Sequence, residues 1–226
     1  MASLAPLIVP AIKKHTATVI FAHGLGDTLP LAQNWRRRGI FEEVAFVFPN
    51  APSIPISVNF GMSMPGWYDI ASFDDIAQKM DEPGILRSQS YFHSLIQSEI
   101  DKGISSHRII LGGFSQGGAM SLFAGVTSPH KLGGIVGLSS YLLLQGKIRD
   151  MVPEDNPNKE TKIFMGHGDA DTVVKVEWGR ATAGTLRAWG WDVDFREYPG
   201  LPHSADPEEI DHVEAYIKAR LPPLEN

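Results

Sequence analysis

Apolar residues recur along this chain with two different periods, and the alternation between them sets the elements it predicts. Short apolar or β-branched runs at Leu7–Pro10, Thr16–Ala22, Val44–Phe48, Arg108–Leu111, Gly134–Leu138, Ile163–Met165 and Asp192–Tyr198 read as strands. Helical spacing lies between them. Leu31–Arg38 reads as a helix closed by Gly39, and Ile85, Phe92, Ile96 and Ile100 mark a second, with Pro83 in its first turn and Gly103 at its end. Gly118–Phe123 opens another, and one more runs to Trp189 and stops at Gly190. Asp206-Pro207-Glu208-Glu209 reads as an N-cap with proline at the first helical position and glutamate at the third, and Ile210, Val213 and Ile217 follow as a buried face. Residues 49 to 84 hold many prolines and glycines with little periodicity, which predicts a long loop serving as a lid or substrate wall. Residues 145 to 161 read as a second irregular stretch.

Near-continuously apolar strands that alternate with helices predict an α/β fold, a mostly parallel central sheet covered by helices on both faces. No internal repeat or linker interrupts it, so residues 1–226 read as one domain. In such a sheet the active site lies beyond the carboxyl ends of the strands.

The stretch with the most chemistry sits at one of those ends. Gly113-Phe114-Ser115-Gln116-Gly117 follows an apolar strand and precedes a helix, the context a G-x-S-x-G nucleophile elbow requires. A serine on so sharp a turn has a strained backbone, and side chains two residues before and after it would collide, hence the glycines. The turn also sets Ser115 at the positive end of the next helix. Phosphate-cradling loops do not fit: a dinucleotide motif starting at Gly112 needs glycine where Phe114 stands, and a P-loop needs lysine where Gly118 or Ala119 stands.

Composition narrows the field further. A net charge of −6 over 226 residues gives no electrostatic case for nucleic acid or an anionic membrane, and Arg36-Arg37-Arg38 reads as a solvated helix face. The absence of cysteine excludes disulfides, thiolate metal sites, a cysteine nucleophile and S-acylation of the chain itself. No secretory signal or membrane-spanning run is visible, so the expectation is a soluble cytosolic protein.

Serine needs a base, and the base needs an acid that fixes its tautomer; in this arrangement the chain order is Ser, acid, His. Of the histidines after Ser115, His130 falls near a helix end, His212 falls mid-helix, and His167 precedes the best acid. His203, in the loop between the last strand and the last helix, is the expected base. Asp169 and Asp171 both follow the Ile163–Met165 strand, and order does not separate them. Spacing favours Asp169, nearer the strand end beside Gly168, with Asp171 bracing the loop or capping the next helix. A metal reading of His167, Asp169 and Asp171 lacks recognised spacing. Two N–H donors should hold the oxyanion: that of Gln116, and one from the loop His23-Gly24-Leu25-Gly26, which His23 supports.

With these residues assembled, the chain resembles the acyl-protein thioesterase/carboxylesterase family of α/β-hydrolases, also described as small lysophospholipases. The likeness runs from about Val9 to Pro222 through His23-Gly24-Leu25-Gly26-Asp27, Phe48-Pro49-Asn50-Ala51-Pro52, Pro65-Gly66-Trp67-Tyr68-Asp69, Gly112 to Gly118, Gly168-Asp169-Ala170-Asp171 and His203-Ser204. The resemblance implies an α/β-hydrolase fold, Ser115, Asp169 and His203 as catalytic residues, and an oxyanion hole from the Leu25 and Gln116 amides. It implies that Trp67 borders the site and that the following loop, with Ile70, Phe73 and Ile76, forms an acyl groove; core packing is the competing role for these apolar residues.

The activity implied is hydrolysis of long-chain acyl thioesters on palmitoylated protein cysteines, with a general carboxylesterase or lysophospholipase acting on oxygen esters as the alternative. No metal or organic cofactor is called for. The partners expected are S-acylated proteins or lipid esters as substrates and a weak homodimer, without nucleic acid or stable membrane insertion. The resemblance extends the cytoplasmic setting to the nucleus. The chain departs from the family at Leu29-Pro30-Leu31-Ala32-Gln33-Asn34-Trp35, more apolar than the usual glycine-containing spacer, and in lacking an N-terminal cysteine that some relatives acylate.

Overall fold

The computed structural model describes residues 5–25, 38–72 and 80–224. The helix expected over Leu31–Arg38 therefore falls outside the described residues apart from Arg38, as do Phe73 and Ile76. The strands are β1 (Leu7–Val9), β2 (Ala17–Ala22), β3 (Val44–Phe48), β4 (Ser53–Ile56), β5 (Met62–Pro65), β6 (Ile109–Phe114), β7 (Gly134–Leu138), β8 (Ile163–Gly168) and β9 (Val193–Tyr198). The α-helices are α1 (Glu82–Asp101), α2 (Gln116–Val126), α3 (Ile148–Met151), α4 (Val176–Ala188) and α5 (Pro207–Arg220).

Seven strands form one sheet in the order β1-β3-β2-β6-β7-β8-β9, with only β1 antiparallel to its neighbour. Successive strand residues point to opposite faces, and the core divides accordingly. Ile20, Ile109, Leu111, Ile135, Ile163 and Met165 pack on the face that α1, α2 and α4 cover with Ile85, Phe92, Phe123 and Leu186. Val19, Phe21, Ile110, Val136 and Phe164 pack on the other face, under Val213 and Ile217 of α5. The alternation explains why the inner strands β2, β3, β6, β7 and β8 read as unbroken apolar runs: both of their faces are buried.

Asp206 caps α5 as expected, accepting from the Glu209 N–H, and Pro83 lies in the first turn of α1 as expected. The cap of α1 was not foreseen; it is Asp81, accepting from the Gly84 N–H. The described part of residues 49 to 84 holds more regular structure than expected. β4 and β5 pair as a separate two-stranded antiparallel hairpin, with Ser53 opposite Pro65 and Pro55 opposite Ser63. Its prolines hid it: they cannot donate to a ladder and are tolerated only in such peripheral strands. Within 145 to 161, the short helix α3 was likewise not foreseen.

Glu209 is fully buried, and neither of its carboxyl oxygens has a hydrogen-bond partner. Its Oε1 occupies the space that a Cβ on Gly166 of β8 would need. Burial first, and the neighbouring Asp206 carboxylate second, push its pKa from 4.5 to about 8. The folded protein thus keeps this proton at pH values where the unfolded chain has lost it. The associated stability is fully present below the unfolded pKa and is lost as pH rises towards the folded one, by about 1.4 kcal/mol per pH unit inside the window. Urea unfolding of the wild type and of Glu209→Gln between about pH 5.5 and about pH 8 should show the wild type losing about 3 kcal/mol relative to the variant. Parallel pH profiles would show that Glu209 ionises normally.

Candidate active site

β2 and β6 are parallel neighbours, with Ala22 opposite Gly113, so the loops leaving their carboxyl ends emerge side by side. One carries His23, Gly24 and Leu25; the other is the turn at Ser115. Ser115 has φ 54° and ψ −121°, a conformation that costs a non-glycine residue about 1–3 kcal/mol. The surroundings enforce it. The Ser115 N–H donates to Leu138 O at the end of β7, and α2 begins at the next residue, buried along its whole length. A Cβ on Gly113 would lie 2.5 Å from the Gly117 backbone, and one on Gly117 would strike the Ala22 and His23 carbonyl oxygens. Backbone atoms cannot yield as a flexible side chain can, so both positions require glycine.

The Ser115 hydroxyl donates to His203 Nε2 at 2.9 Å, and His203 Nδ1–H donates to Asp171 Oδ2 at 2.7 Å. The order is that of a hydroxyl nucleophile, a base and a tautomer-fixing acid. This corrects the choice of acid: Asp171, not Asp169, meets the histidine. The reason is the length of β8. It continues in register with β9 as far as Gly168 opposite Tyr198, three residues beyond the Met165 end read from the sequence. Asp169 therefore still belongs to the sheet margin: its N–H donates to Tyr198 O, and its Oδ1 accepts from the Gly200 N–H at 2.6 Å. It is exposed and braces the loop that carries His203. Asp171 is the residue that has turned inward.

Asp171 is held from several sides. Oδ1 accepts the N–H groups of Val173 at 2.9 Å and Val174 at 2.8 Å. His167, fully buried, donates through Nε2 to Val174 O at 2.7 Å and lies 3.5 Å from Asp171 Oδ2. Burial alone would push the Asp171 carboxyl up. The contacts with His167 and His203, the His203 charge and the Val174 N–H outweigh it and hold the group well below the usual carboxylate range. A permanently ionised carboxylate is what an imidazole needs to gain a proton during reaction. The metal reading of this stretch finds no set of ligands: among the described residues no group of three or more His, Cys, Asp or Glu side chains could hold a metal ion.

A cavity of about 290 Å³ opens at Ser115 and His203. Its walls include Leu25, Ile70, Phe114, Tyr141, Val173 and Val174, which makes it mainly apolar. Gln116 lines it as the first residue of α2, so its N–H has no intrahelical acceptor and is free to face an oxyanion. Gly24 passes so close that a Cβ there would come within 3.2 Å of the Ser115 Cβ, and Leu25, the next residue, lines the cavity. Of the groove residues expected, Ile70 lines the cavity. Trp67 does not; it is 2% exposed and packs edge-on against Phe92 at 5.0 Å, which corrects its assignment to substrate contact. Tyr141, Val173 and Val174 were missed, because each follows a strand end at a distance the sequence leaves open.

A profile of the phospholipase/carboxylesterase family matches residues 4–221. The chain belongs to this family. Among relatives, acyl-protein thioesterase 1 of Emericella nidulans is 55% identical, covering 99% of this chain and 98% of its own length. Acyl-protein thioesterase 1 of Aspergillus fumigatus is 54% identical over 97% of this chain and 94% of its own. Among solved structures, Arabidopsis thaliana SOBER1 superposes with a TM-score of 0.83 at 31% identity, covering 91% of this chain and 99% of the other. Zea mays acyl-protein thioesterase 2 gives 0.81 at 28% identity, covering 96% and 98%. Phospholipase/carboxylesterase members are α/β-hydrolases, and the parallel sheet with helices on both faces is that architecture. Among the described residues no helix is long and apolar enough to cross a membrane.

Proposed function

We propose that this chain is a serine hydrolase that removes long-chain acyl groups from S-acylated protein cysteines. The observation that carries the reading is the unbroken hydrogen-bond chain Ser115–His203–Asp171 opening into a mainly apolar cavity. The family's thioesterase names, in relatives of 54% and 55% identity, support the substrate class.

In this reading Ser115 Oγ attacks the thioester carbonyl while His203 Nε2 takes its proton. Asp171 stabilises the imidazolium, and the Leu25 and Gln116 N–H groups hold the oxyanion. His203 returns the proton to the departing cysteine sulfur. Water, activated by the same imidazole, then cleaves the acyl-enzyme. The acyl chain lies along Ile70, Val173 and Val174. S-acylated proteins in the cytoplasm and nucleus are the partners, and self-association is weak.

The alternative, a general esterase or lysophospholipase, uses the same residues on oxygen esters. The two readings separate on kcat/KM for a palmitoylated cysteine peptide against its serine oxygen-ester analogue, with Ser115→Ala as blank. Protein deacylation predicts at least about a tenfold thioester preference, some 1.4 kcal/mol in transition-state binding. Equal or reversed rates favour the esterase reading.

A further inference from the structure

Trp67 lies outside the cavity, yet its hydrogen bonds reach both segments that supply oxyanion donors. Its backbone N–H donates to Gln116 Oε1 at 2.7 Å, and Gln116 Nε2 donates to Tyr68 O at 2.7 Å, so the carboxamide is clasped at two points by successive residues. On the other side, the indole Nε1–H donates to His23 O at 2.9 Å. His23 is itself fixed, with Nδ1–H donating to Gly24 O at 2.6 Å and Nε2 accepting from the Ala51 N–H at 3.1 Å. The indole is also immobile, packed on Phe92 and 5.1 Å from the His23 ring.

We infer that Trp67 and the Gln116 carboxamide together are a positioning tie that sets the spacing between the Leu25 and Gln116 amides. The inference rests on the acyl-transfer reading above. Its physical logic is that two loops leaving neighbouring strands diverge unless something spans them. Oxyanion donors act only at hydrogen-bond distance from where charge develops, and a misplacement of about 1 Å costs about a hundredfold in rate. Neither side chain needs to touch substrate for this. Loss of the tie therefore lowers kcat and leaves KM nearly unchanged, because the donors matter most in the tetrahedral transition state.

Two variants test it. Trp67→Phe keeps a ring in the core and the backbone N–H but deletes the indole donor to His23 O. Gln116→Glu keeps the acceptor for Trp67 N–H but sets a carboxylate oxygen against Tyr68 O. Each should lower kcat about ten- to a hundredfold with KM within about twofold of wild type. Gln116→Glu carries a further signature: protonated, it is isosteric with the amide and donates to Tyr68 O, so its rate relative to wild type should climb as pH falls.

Folded variants with wild-type kcat, or with raised KM and unchanged kcat, would overturn the tie. A Gln116→Glu to wild-type ratio that stays flat with pH would do the same, and it decides the matter should Trp67→Phe not fold. Failure of the acyl-transfer reading looks different: the wild type itself would then escape labelling by a fluorophosphonate.

Discussion

Asp171→Asn is expected to lower kcat by about 10⁴-fold with little change in KM, while Asp169→Asn stays within about tenfold of wild type. The two aspartates stand two residues apart in Gly168-Asp169-Ala170-Asp171, yet they do different physical work. The buried Asp171 carboxylate accepts His203 Nδ1–H and two backbone N–H groups. An asparagine there turns an NH₂ towards Nδ1, or loses the contacts to Val173 and Val174. The imidazole then favours the tautomer with its proton on Nε2, which cannot accept from Ser115. Asp169 makes one side-chain bond, to the Gly200 N–H, and the Oδ1 of asparagine accepts that bond equally well. Steady-state kinetics on both variants settle the assignment. A severe loss at Asp169 with a mild one at Asp171 would reverse it.

Ser115→Ala is the second large effect. It should reduce kcat by about 10⁶-fold, the scale on which removing the nucleophile of a hydrolytic triad acts, and abolish any pre-steady-state burst. The fold should survive, because the strained turn is imposed by the Ser115 N–H bond to Leu138 O and by the two elbow glycines rather than by the hydroxyl. A variant that melts with the wild type yet retains burst kinetics would remove Ser115 from the chemistry.

The elbow was legible from the sequence because its requirements are local. A strand, two glycines around a serine and a helix need no knowledge of distant residues, and the clashes a Cβ would meet at Gly113 and Gly117 are the ones the pattern anticipates. The layered α/β arrangement was legible for a similar reason: apolar strands buried on both faces admit few other folds. His203 followed from chain order and loop position.

The acid did not, because that choice depended on where β8 ends. Three further residues of pairing with β9 moved the turn from Asp169 to Asp171, and strand pairing is a non-local property. Trp67 was misplaced for another non-local reason. Its neighbours in sequence include Ile70, which does line the cavity, while its indole is directed at His23 and Phe92 from distant segments. The hairpin of β4 and β5 was obscured by Pro55 and Pro65, whose effect on strand propensity is real but does not forbid an isolated two-stranded ladder.

Acyl groups should pass through Ser115. A rapid acid quench of the wild type turning over a palmitoylated cysteine peptide, followed by peptide mapping by mass spectrometry, tests this. Palmitate should be found, up to one group per chain, on the peptide bearing Ser115 and be absent in Ser115→Ala. Palmitate carried on another residue at the turnover rate, or thiol release by the wild type undiminished in Ser115→Ala, would contradict it.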